Sequence, residues 1–144
     1  MKALIQRVSY ASVRVDQAAI GSIGKGVLVF LGIEKKDDQA VSKKLLHKVL
    51  NYRIFSDASG HMNLSVMEVA GELLVISQFT LAASTGKGLR PSFSSAMQPA
   101  EAGRLYDYFV EQAKHRCKVN SGIFGAHMQI ESCNDGPVTF LLSA

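Results

Sequence analysis

Strand-like runs outnumber helical ones along this chain of 144 residues, and the two kinds do not alternate. Four short segments are rich in Val, Ile and Leu and are typical of strands: residues 3–8, 12–15, 27–33 and 73–80. Helical spacing of apolar residues follows Asp37 or Asp38, either of which can cap a helix, and occurs again after Pro99. Because strict alternation would favour a parallel sheet, this order predicts a mostly antiparallel α+β domain with two main helices.

The remaining segments are predicted to be short strands, turns and one loop. Residues 52–55 form a brief strand, and the glycines between residues 20 and 26 mark a turn. A polar loop covers residues 83–96. The last segment, residues 126–142, is predicted to contain two strands joined by a turn at Asn134-Asp135-Gly136.

Composition indicates a folded globular protein, and we expect a single domain over residues 1–144. Hydrophobic residues make up 47% of the chain and charged residues 19%, which excludes a disordered or fibrous protein. A chain of this length can bury a core without disulfides or a structural metal. The net charge of +4 is mild, and it favours a phosphate-bearing partner over a cationic one.

Neither a metal, a cofactor nor a membrane is expected. The two cysteines and the four histidines lack the spacing of metal ligands. Charge within residues 3–8 argues against a signal peptide, and residues 27–33 fall far short of the ~20 apolar residues that a membrane helix needs. These features predict a cytoplasmic protein.

Polar residues close the most apolar of the predicted strands, in the sequence Ser77-Gln78-Phe79-Thr80. Hydroxyl and amide groups at the end of a strand are held on rigid backbone, which suits a binding site. On an extended chain, Ser77 and Phe79 would face one way and Gln78 and Thr80 the other. The simpler interpretation is an ordinary strand end whose polar groups bond to nearby backbone. Thr80 would be a nucleophile only with a base close to it, and no histidine lies near it in the sequence.

A second polar motif, Asn134-Asp135-Gly136-Pro137-Val138-Thr139, leads into the apolar residues 140–142. Proline removes a ladder donor, so it marks an edge strand, a bulge or a tight turn. A hairpin turn explains these residues adequately. The sharper hypothesis is a cis bond between Gly136 and Pro137, which would direct both flanking carbonyl groups towards a ligand.

Basic residues cluster on the first predicted helix and in the polar loop. The loop sequence around Lys87 and Arg90 lacks the glycine and the Ser or Thr that a P-loop requires. A solvated surface is one interpretation of these charges. The other is a surface that grips an RNA backbone in a salt-dependent manner, formed by Lys43, Lys44, Lys48, Lys87 and Arg90.

Taken together, the two polar motifs closely resemble those of the D-aminoacyl-tRNA deacylases. The first matches the SQxT pattern of that family and the second its NxGPxT pattern, in the same order. Residues 3–8, 52–57 and 90–93 are also similar to the family, so the resemblance covers essentially all 144 residues. Either motif alone is weak, but the pair with these flanks is highly specific.

The resemblance implies a barrel-like fold, a homodimer and an active site shared between subunits. Ser77, Gln78, Phe79 and Thr80 would form the catalytic segment, with a backbone N–H group near Phe79 as an oxyanion donor. Gly136 and Pro137, joined by a cis bond, would reach into the partner subunit and reject L-amino acids. Asn134 and Thr139 belong to the same motif, and Arg7 would brace it.

The implied reaction is hydrolysis of the ester in D-aminoacyl-tRNA, and of glycine misattached to alanine tRNA. The 2′-hydroxyl group of the tRNA would supply most of the chemistry, which agrees with the lack of a catalytic triad in the sequence. Two other hypotheses remain open at this point. One is an RNA-binding module without turnover, and the other is an unrelated esterase with Thr80 as its nucleophile.

Overall fold

A computed structural model describes residues 1–86 and 88–144. The strands among these residues are β1 Lys2–Val15, β2 Ala18–Ile23, β3 Gly26–Gly32, β4 Phe55–Ser56, β5 Met62–Leu64, β6 Glu72–Ser77, β7 Val119–Ser121 and β8 Gln129–Ser143. The helices are α1 Gln39–Asn51, α2 Pro99–Lys114 and a short 3-10 helix, Phe79–Ala82.

Strand β1 is the centre of the main sheet, and the sheet curls around it. One edge of β1 pairs with β8 over nearly its whole length. The other edge pairs first with β3 and then with β2, and β6 and β7 continue from β3 in parallel. The far end of the sheet returns to β2, where Asn120 Nδ2 donates to Ser22 O over 2.6 Å. The result is a nearly closed, barrel-like sheet with two main helices, which has the α+β class that the sequence predicted and the barrel shape that the resemblance implied.

The sheet separates two apolar cores. Along β3 and β6, alternate residues such as Val29 and Val75 face the helices. The residues between them, such as Leu28 and Leu74, face the inside of the curl. Because both faces of these strands are buried, their sequences are continuous apolar runs rather than alternating ones.

A bulge in the long strand β1 changes which of its alternate residues face each core. Val8 pairs with Asn134, but Tyr10 already pairs with Cys133, so one extra residue stands on β1 between these pairs. Such an extra residue reverses the alternation of the side chains that follow it. Consequently Ile5 packs towards the helices, whereas Val13 packs inside the curl.

The two helices begin where the sequence predicted. Asp38 caps α1, since its Oδ1 atom accepts a hydrogen bond of 2.9 Å from Val41 N. Helix α2 has Pro99 in its first turn and buries Tyr106 and Phe109 against the sheet. None of the helices in the described part of the chain is long and apolar enough to span a membrane.

Four predictions about strands were wrong. Residues 3–8 and 12–15 form one strand, because the bulge bends β1 without ending it. Residues 18–23, in the region predicted as a turn, form β2, and the predicted strand at residues 52–55 begins only at Phe55. The last segment also is one strand, β8, since both of its halves pair with β1 and the chain does not reverse at Asn134.

Candidate active site

The first polar motif lies where β6 ends and the chain turns into the 3-10 helix. Ser77 is the last residue of β6 and pairs with Leu31 of β3. Gln78 N then donates to Leu31 O over 2.8 Å, which ties the start of the turn to β3. The predicted alternation of the four side chains is therefore wrong beyond Ser77, because the backbone is no longer extended.

The turn presents backbone donors that the rest of the described chain does not use. Within residues 1–86 and 88–144, no acceptor lies within hydrogen-bond range of the N–H groups of Phe79 and Thr80. First-turn N–H groups of a helix lack partners within the helix and are available to a ligand. The Thr80 hydroxyl group accepts a hydrogen bond from the Gln78 side-chain amide, which is not a base.

Close packing beneath the turn depends on Gly32. A Cβ atom at this position would lie 2.7 Å from Leu81 Cβ and 3.1 Å from Gln78 O. The first distance is shorter than real carbon contacts allow, so any side chain at residue 32 would displace the turn. The glycine thus lets the motif rest directly on the end of β3.

A pocket of about 440 Å³ opens beside the turn. Ser77, Gln78 and Phe79 form one wall. The other walls are largely apolar and come from β3, the start of α2 and the segment before β8; they include Met97, Ala102, Phe124, His127 and Met128. Such a pocket suits a flat or apolar group held by a few polar contacts.

Sequence reasoning missed the pocket walls. Phe124 lies just before the last predicted segment, and His127 and Met128 lie at its start, where the sequence predicted a strand and not a pocket wall. The available signal was the pair of glycines around Phe124, Gly122 and Gly125, the latter with a φ of 77°. The spacing of glycines marks a shaped loop, but it does not reveal what the loop faces.

Tyr106 supports the strand that leads into the site. Its hydroxyl group is buried and donates to Val75 O over 2.8 Å, two residues before Ser77. Burial raises the pKa of Tyr106 from its usual 10.0 to about 12, so this donor keeps its proton at neutral pH. The hydrogen bond fixes helix α2 to β6 directly behind the pocket.

An aromatic pair stands at the mouth of the pocket. The ring centroids of Phe79 and Phe93 are 5.0 Å apart and the rings are tilted by 45°. Phe79 is 60% exposed and Phe93 is 41% exposed. Phe79 also lines the pocket, so the pair continues the pocket surface outwards.

The second polar motif forms an excursion within β8. Asn134 pairs with Val8 and Thr139 with Gln6, so residues 135–138 all stand opposite Arg7. Two side chains secure the ends of the excursion: Asn134 Oδ1 accepts from Val138 N over 2.8 Å, and Asn134 Nδ2 donates to Thr139 Oγ1 over 3.0 Å. The predicted hairpin turn is therefore wrong. Residues 135–138 form a loop that leaves the pairing with β1, and the pairing resumes at Thr139.

The bond between Gly136 and Pro137 is cis, and both residues are exposed. Arg7 lies beneath them with its side chain only 13% exposed. Its Nε atom donates to Asp135 O and its Nη1 atom to Ile54 O, each over 2.7 Å. Arg7 therefore ties the excursion to the start of β4.

The two polar motifs do not meet within one chain. Ser77 lies level with Leu31 of β3, whereas the excursion lies level with Val27. These levels are four residues apart along the strands, about 13 Å. The motifs also lie on β6 and β8, which are separated by β1 and β3, so three strand spacings of about 14 Å divide them.

The basic residues singled out in the sequence fall in two places. Lys43, Lys44 and Lys48 are exposed on one side of α1, and Lys48 Nζ donates to Ser143 O over 3.2 Å. Arg90 is exposed in the loop before Phe93. Lys87 lies outside the described residues.

Comparison with known proteins gives a consistent answer over the whole chain. The sequence pattern of the D-Tyr-tRNA(Tyr) deacylase family matches residues 4–143. A D-aminoacyl-tRNA deacylase of Pseudoalteromonas translucida is 58% identical over 144 residues and covers 99% of each chain. The D-aminoacyl-tRNA deacylase of Actinobacillus succinogenes is 56% identical and covers 100% of each chain.

Solved structures share the fold of this chain. The c-Myc DNA Unwinding Element Binding Protein is 42% identical, with a TM-score of 0.95 over 100% of this chain and 99% of that one. A structure described as a "probable eukaryotic D-amino acid tRNA deacylase" is 16% identical, with a TM-score of 0.87 over 99% and 98% of the two chains. At that identity the second likeness concerns the fold alone.

The barrel-like fold and these relatives define a hydrolase that acts on carboxylic ester bonds. The chain belongs to the D-Tyr-tRNA(Tyr) deacylase family, as its two polar motifs predicted. Its activity is the deacylation of D-aminoacyl-tRNA, which excludes the binding module without turnover.

Proposed function

We propose that the pocket beside the 3-10 turn receives the aminoacylated 3′ end of tRNA, with the ester carbonyl next to Phe79. The observation that carries this proposal is the pair of N–H groups of Phe79 and Thr80, which have no acceptor among the described residues. They stand at the wall of a largely apolar pocket of about 440 Å³, where a hydrogen bond to developing negative charge is stronger than in water.

The chemistry we propose relies on the substrate rather than on a catalytic triad. The 2′-hydroxyl group of the terminal ribose assists a water molecule that attacks the ester carbonyl. The carbon–oxygen bond to the ribose then breaks, and the products are the free amino acid and a tRNA with a free hydroxyl group. The ester is already reactive, so the protein positions it and stabilises the oxyanion. Gln78 holds the Thr80 hydroxyl group, and Ser77 completes the polar wall.

Chiral selection is assigned to Gly136 and Pro137 of a second subunit. Within one chain these residues lie about 13 Å along the strands and three strands away from Ser77, and this separation supports a site formed across a homodimer. The carbonyl groups of Gly136 and Pro137 would line the partner's pocket and obstruct the side chain of an L-amino acid. Glycine has no side chain, so glycine on alanine tRNA would also be hydrolysed.

The rest of the proposal concerns the setting of this site. The whole chain, residues 1–144, acts as one deacylase domain in the cytoplasm. Lys43, Lys44, Lys48 and Arg90 contact tRNA phosphates, supported by their exposure and by the net charge of +4. We add Lys87 to this group from the sequence alone. Binding of tRNA should weaken steeply as salt is raised.

The first experiment compares Phe79→Pro with Phe79→Ala on D-tyrosyl-tRNA and L-tyrosyl-tRNA. Proline fits the first position of a helix but removes the N–H group, whereas alanine keeps it. We expect wild-type protein to hydrolyse the D ester and spare the L ester. Loss of an oxyanion donor should lower kcat of the proline variant by about 10²–10³-fold relative to the alanine variant. Equal kcat values for the two variants would exclude the backbone donor.

A second experiment tests whether Thr80 is a nucleophile. Its hydroxyl group is held by an amide and not by a base, so Thr80→Ala should lose far less activity than the ~10⁶-fold that removal of a triad serine costs. Rates on D-tyrosyl-tRNA and mass spectrometry of the quenched enzyme provide the two readouts. An acyl adduct on Thr80 in the wild type, absent from the variant, would restore the covalent mechanism.

A further inference from the structure

Phe79 and Phe93 are two large aromatic side chains left exposed next to the pocket. Their rings touch, with centroids 5.0 Å apart, yet 60% of Phe79 and 41% of Phe93 remain accessible. A pair that served only the core would be buried further. Exposed aromatic surface beside a functional pocket is typical of a contact with a ligand or partner.

Backbone structure fixes the two segments that carry these rings. Phe79 begins the 3-10 helix at the end of β6. Phe93 follows a bridge in which Ser84 N donates to Ser92 O over 2.8 Å and Ser92 N donates to Ser84 O over 3.0 Å. Ala96 N also donates to Phe93 O over 3.0 Å. The pair is therefore a preorganised surface, which lowers the entropy cost of binding to it.

The position of the aromatic pair relative to the pocket indicates which part of a bound ligand would contact it. Phe79 lines the pocket, whereas Phe93 stands outside it. A polynucleotide whose last nucleotide occupies the pocket must leave through this mouth, because its penultimate nucleotide is joined to the last by a phosphodiester. Single-stranded nucleic acid is commonly held by aromatic rings that stack on the bases, with cations near the backbone. Lys2 also lies at this turn, since its Nζ atom donates to Leu81 O over 3.4 Å, but its charge is paired with Glu34 Oε1 at 3.1 Å, so the aromatic rings carry the argument.

We propose that the Phe79–Phe93 pair stacks on the base of the penultimate nucleotide of the tRNA 3′ end. The inference rests on the proposed function, since it requires the terminal aminoacylated nucleotide in the pocket. It assigns Phe93 a binding role that neither polar motif contains. Stacking tolerates any base, so the pair would add affinity without reading sequence.

The test compares a long and a short substrate of the same chirality. D-tyrosyl-tRNA contains the penultimate base and D-tyrosyl-adenosine does not. Phe93→Ala should lower kcat/KM for D-tyrosyl-tRNA by about ten-fold, mainly through KM, and change the value for D-tyrosyl-adenosine little. Phe93→Tyr should restore most of the loss. Met62→Ala, which removes an exposed apolar side chain from β5, is the matched control and should leave both values unchanged.

Three outcomes would overturn the proposal. An equal loss on both substrates would mean that Phe93 only positions Phe79. No loss on either substrate would mean that the pair does not bind the substrate. A Phe93→Ala protein that becomes monomeric by light scattering, when the wild type is dimeric, would mean that the rings contact the partner subunit.

Binding without turnover separates this inference from the proposed function. Calorimetry with the trinucleotide CCA and with adenosine should show tighter binding of CCA, and Phe93→Ala should remove the difference. If the wild type bound in this way but hydrolysed neither D ester, the stacking surface would stand and the proposed function would fail. If it hydrolysed the D esters but bound CCA no better than adenosine, the stacking surface alone would fail.

Discussion

Gly32 shows how a single residue fixes the position of the site. Because a Cβ atom there would lie 2.7 Å from Leu81 Cβ, Gly32→Ala should push the 3-10 turn away from β3. A displacement of this kind costs up to about a hundred-fold in rate when it misplaces a catalytic group. We expect kcat on D-tyrosyl-tRNA to fall by about ten- to a hundred-fold, with a loss of about 1–3 kcal/mol in the free energy of unfolding.

Gly24→Ala is the matched control for this substitution. A Cβ atom at residue 24 would have no neighbour within 4 Å, so rate and stability should both stay near those of the wild type. Stopped-flow rates and urea unfolding curves of both variants give the comparison. If Gly32→Ala matched Gly24→Ala in both measurements, the close packing of the turn on β3 would not matter for catalysis.

Site residues with distinctive chemistry could be predicted from the sequence, whereas apolar residues that only shape the pocket could not. Ser77, Gln78 and Pro137 stand out because polar groups or proline next to apolar runs need an explanation. Phe124 and Met128 look like ordinary core residues in the sequence, and only the folded chain shows that they line a pocket. The prediction of an extended chain through Thr80 was wrong, because packing on β3 turns the chain after Ser77. That contact is between residues distant in sequence, so a local pattern does not reveal it.

At the scale of elements, periodicity predicted the helices well and the long strands poorly. The helix caps and apolar stripes of α1 and α2 are local signals, and both helices begin as expected. Strands β1 and β8 each change the face of their side chains partway, through the bulge and the excursion. A sequence pattern with a break in its alternation is indistinguishable from two separate strands, which is why both were divided in the prediction.

The hydrogen bond between Tyr106 of α2 and Val75 of β6 gives a prediction about how stability depends on pH. Tyr106→Phe removes the buried hydrogen bond to Val75 O and should cost about 1–2 kcal/mol in the free energy of unfolding at neutral pH. The pKa of Tyr106 is raised from 10.0 to about 12 in the folded protein. Between those values the unfolded chain releases a proton that the folded chain keeps, so the wild type should lose stability as pH rises.

The loss of folding stability that comes from ionisation of Tyr106 at alkaline pH should be absent from Tyr106→Phe, which has no phenolic proton at that position. Urea unfolding of both proteins at about pH 8 and about pH 11 measures the difference. The stability of the wild type should approach that of the variant at the higher pH. A constant difference between the two proteins across this range would show that the Tyr106 phenol is not buried with its proton.

At the scale of the whole molecule, the separation of the two motifs allows a test of where the gate comes from. A Cβ atom on residue 136 would lie 2.4 Å from Val138 N, so Gly136→Ala should distort the excursion. If the proposed homodimer and gate are correct, protein made only of this variant should hydrolyse L-tyrosyl-tRNA at a rate closer to that on the D ester. A mixed dimer combines one Gly136→Ala chain with one Phe79→Pro chain. The Phe79→Pro chain has an intact excursion but lacks the N–H donor of residue 79.

The two possible arrangements predict opposite results for the mixed dimer. If the excursion acts on the partner's pocket, the competent pocket receives an intact gate, and selection for the D ester should return to that of the wild type. If the excursion acted within its own subunit, the competent pocket would keep the distorted gate and selection would stay poor. Differently tagged chains, purified as mixed dimers, provide the sample for the two rate measurements.

The excursion in β8 also bears on how such a protein can diversify. Its ends are held independently, since Thr139 pairs with Gln6 and Asn134 with Val8 on a strand that does not itself change course there. Residues 135–137 are exposed, whereas Val138 is buried in the core and bonded to Asn134, so the excursion has a variable tip on a fixed base. Selection at the exposed tip can act on recognition, while selection at Val138 and at the paired flanks acts on folding, so new specificity can arise here with little loss of stability.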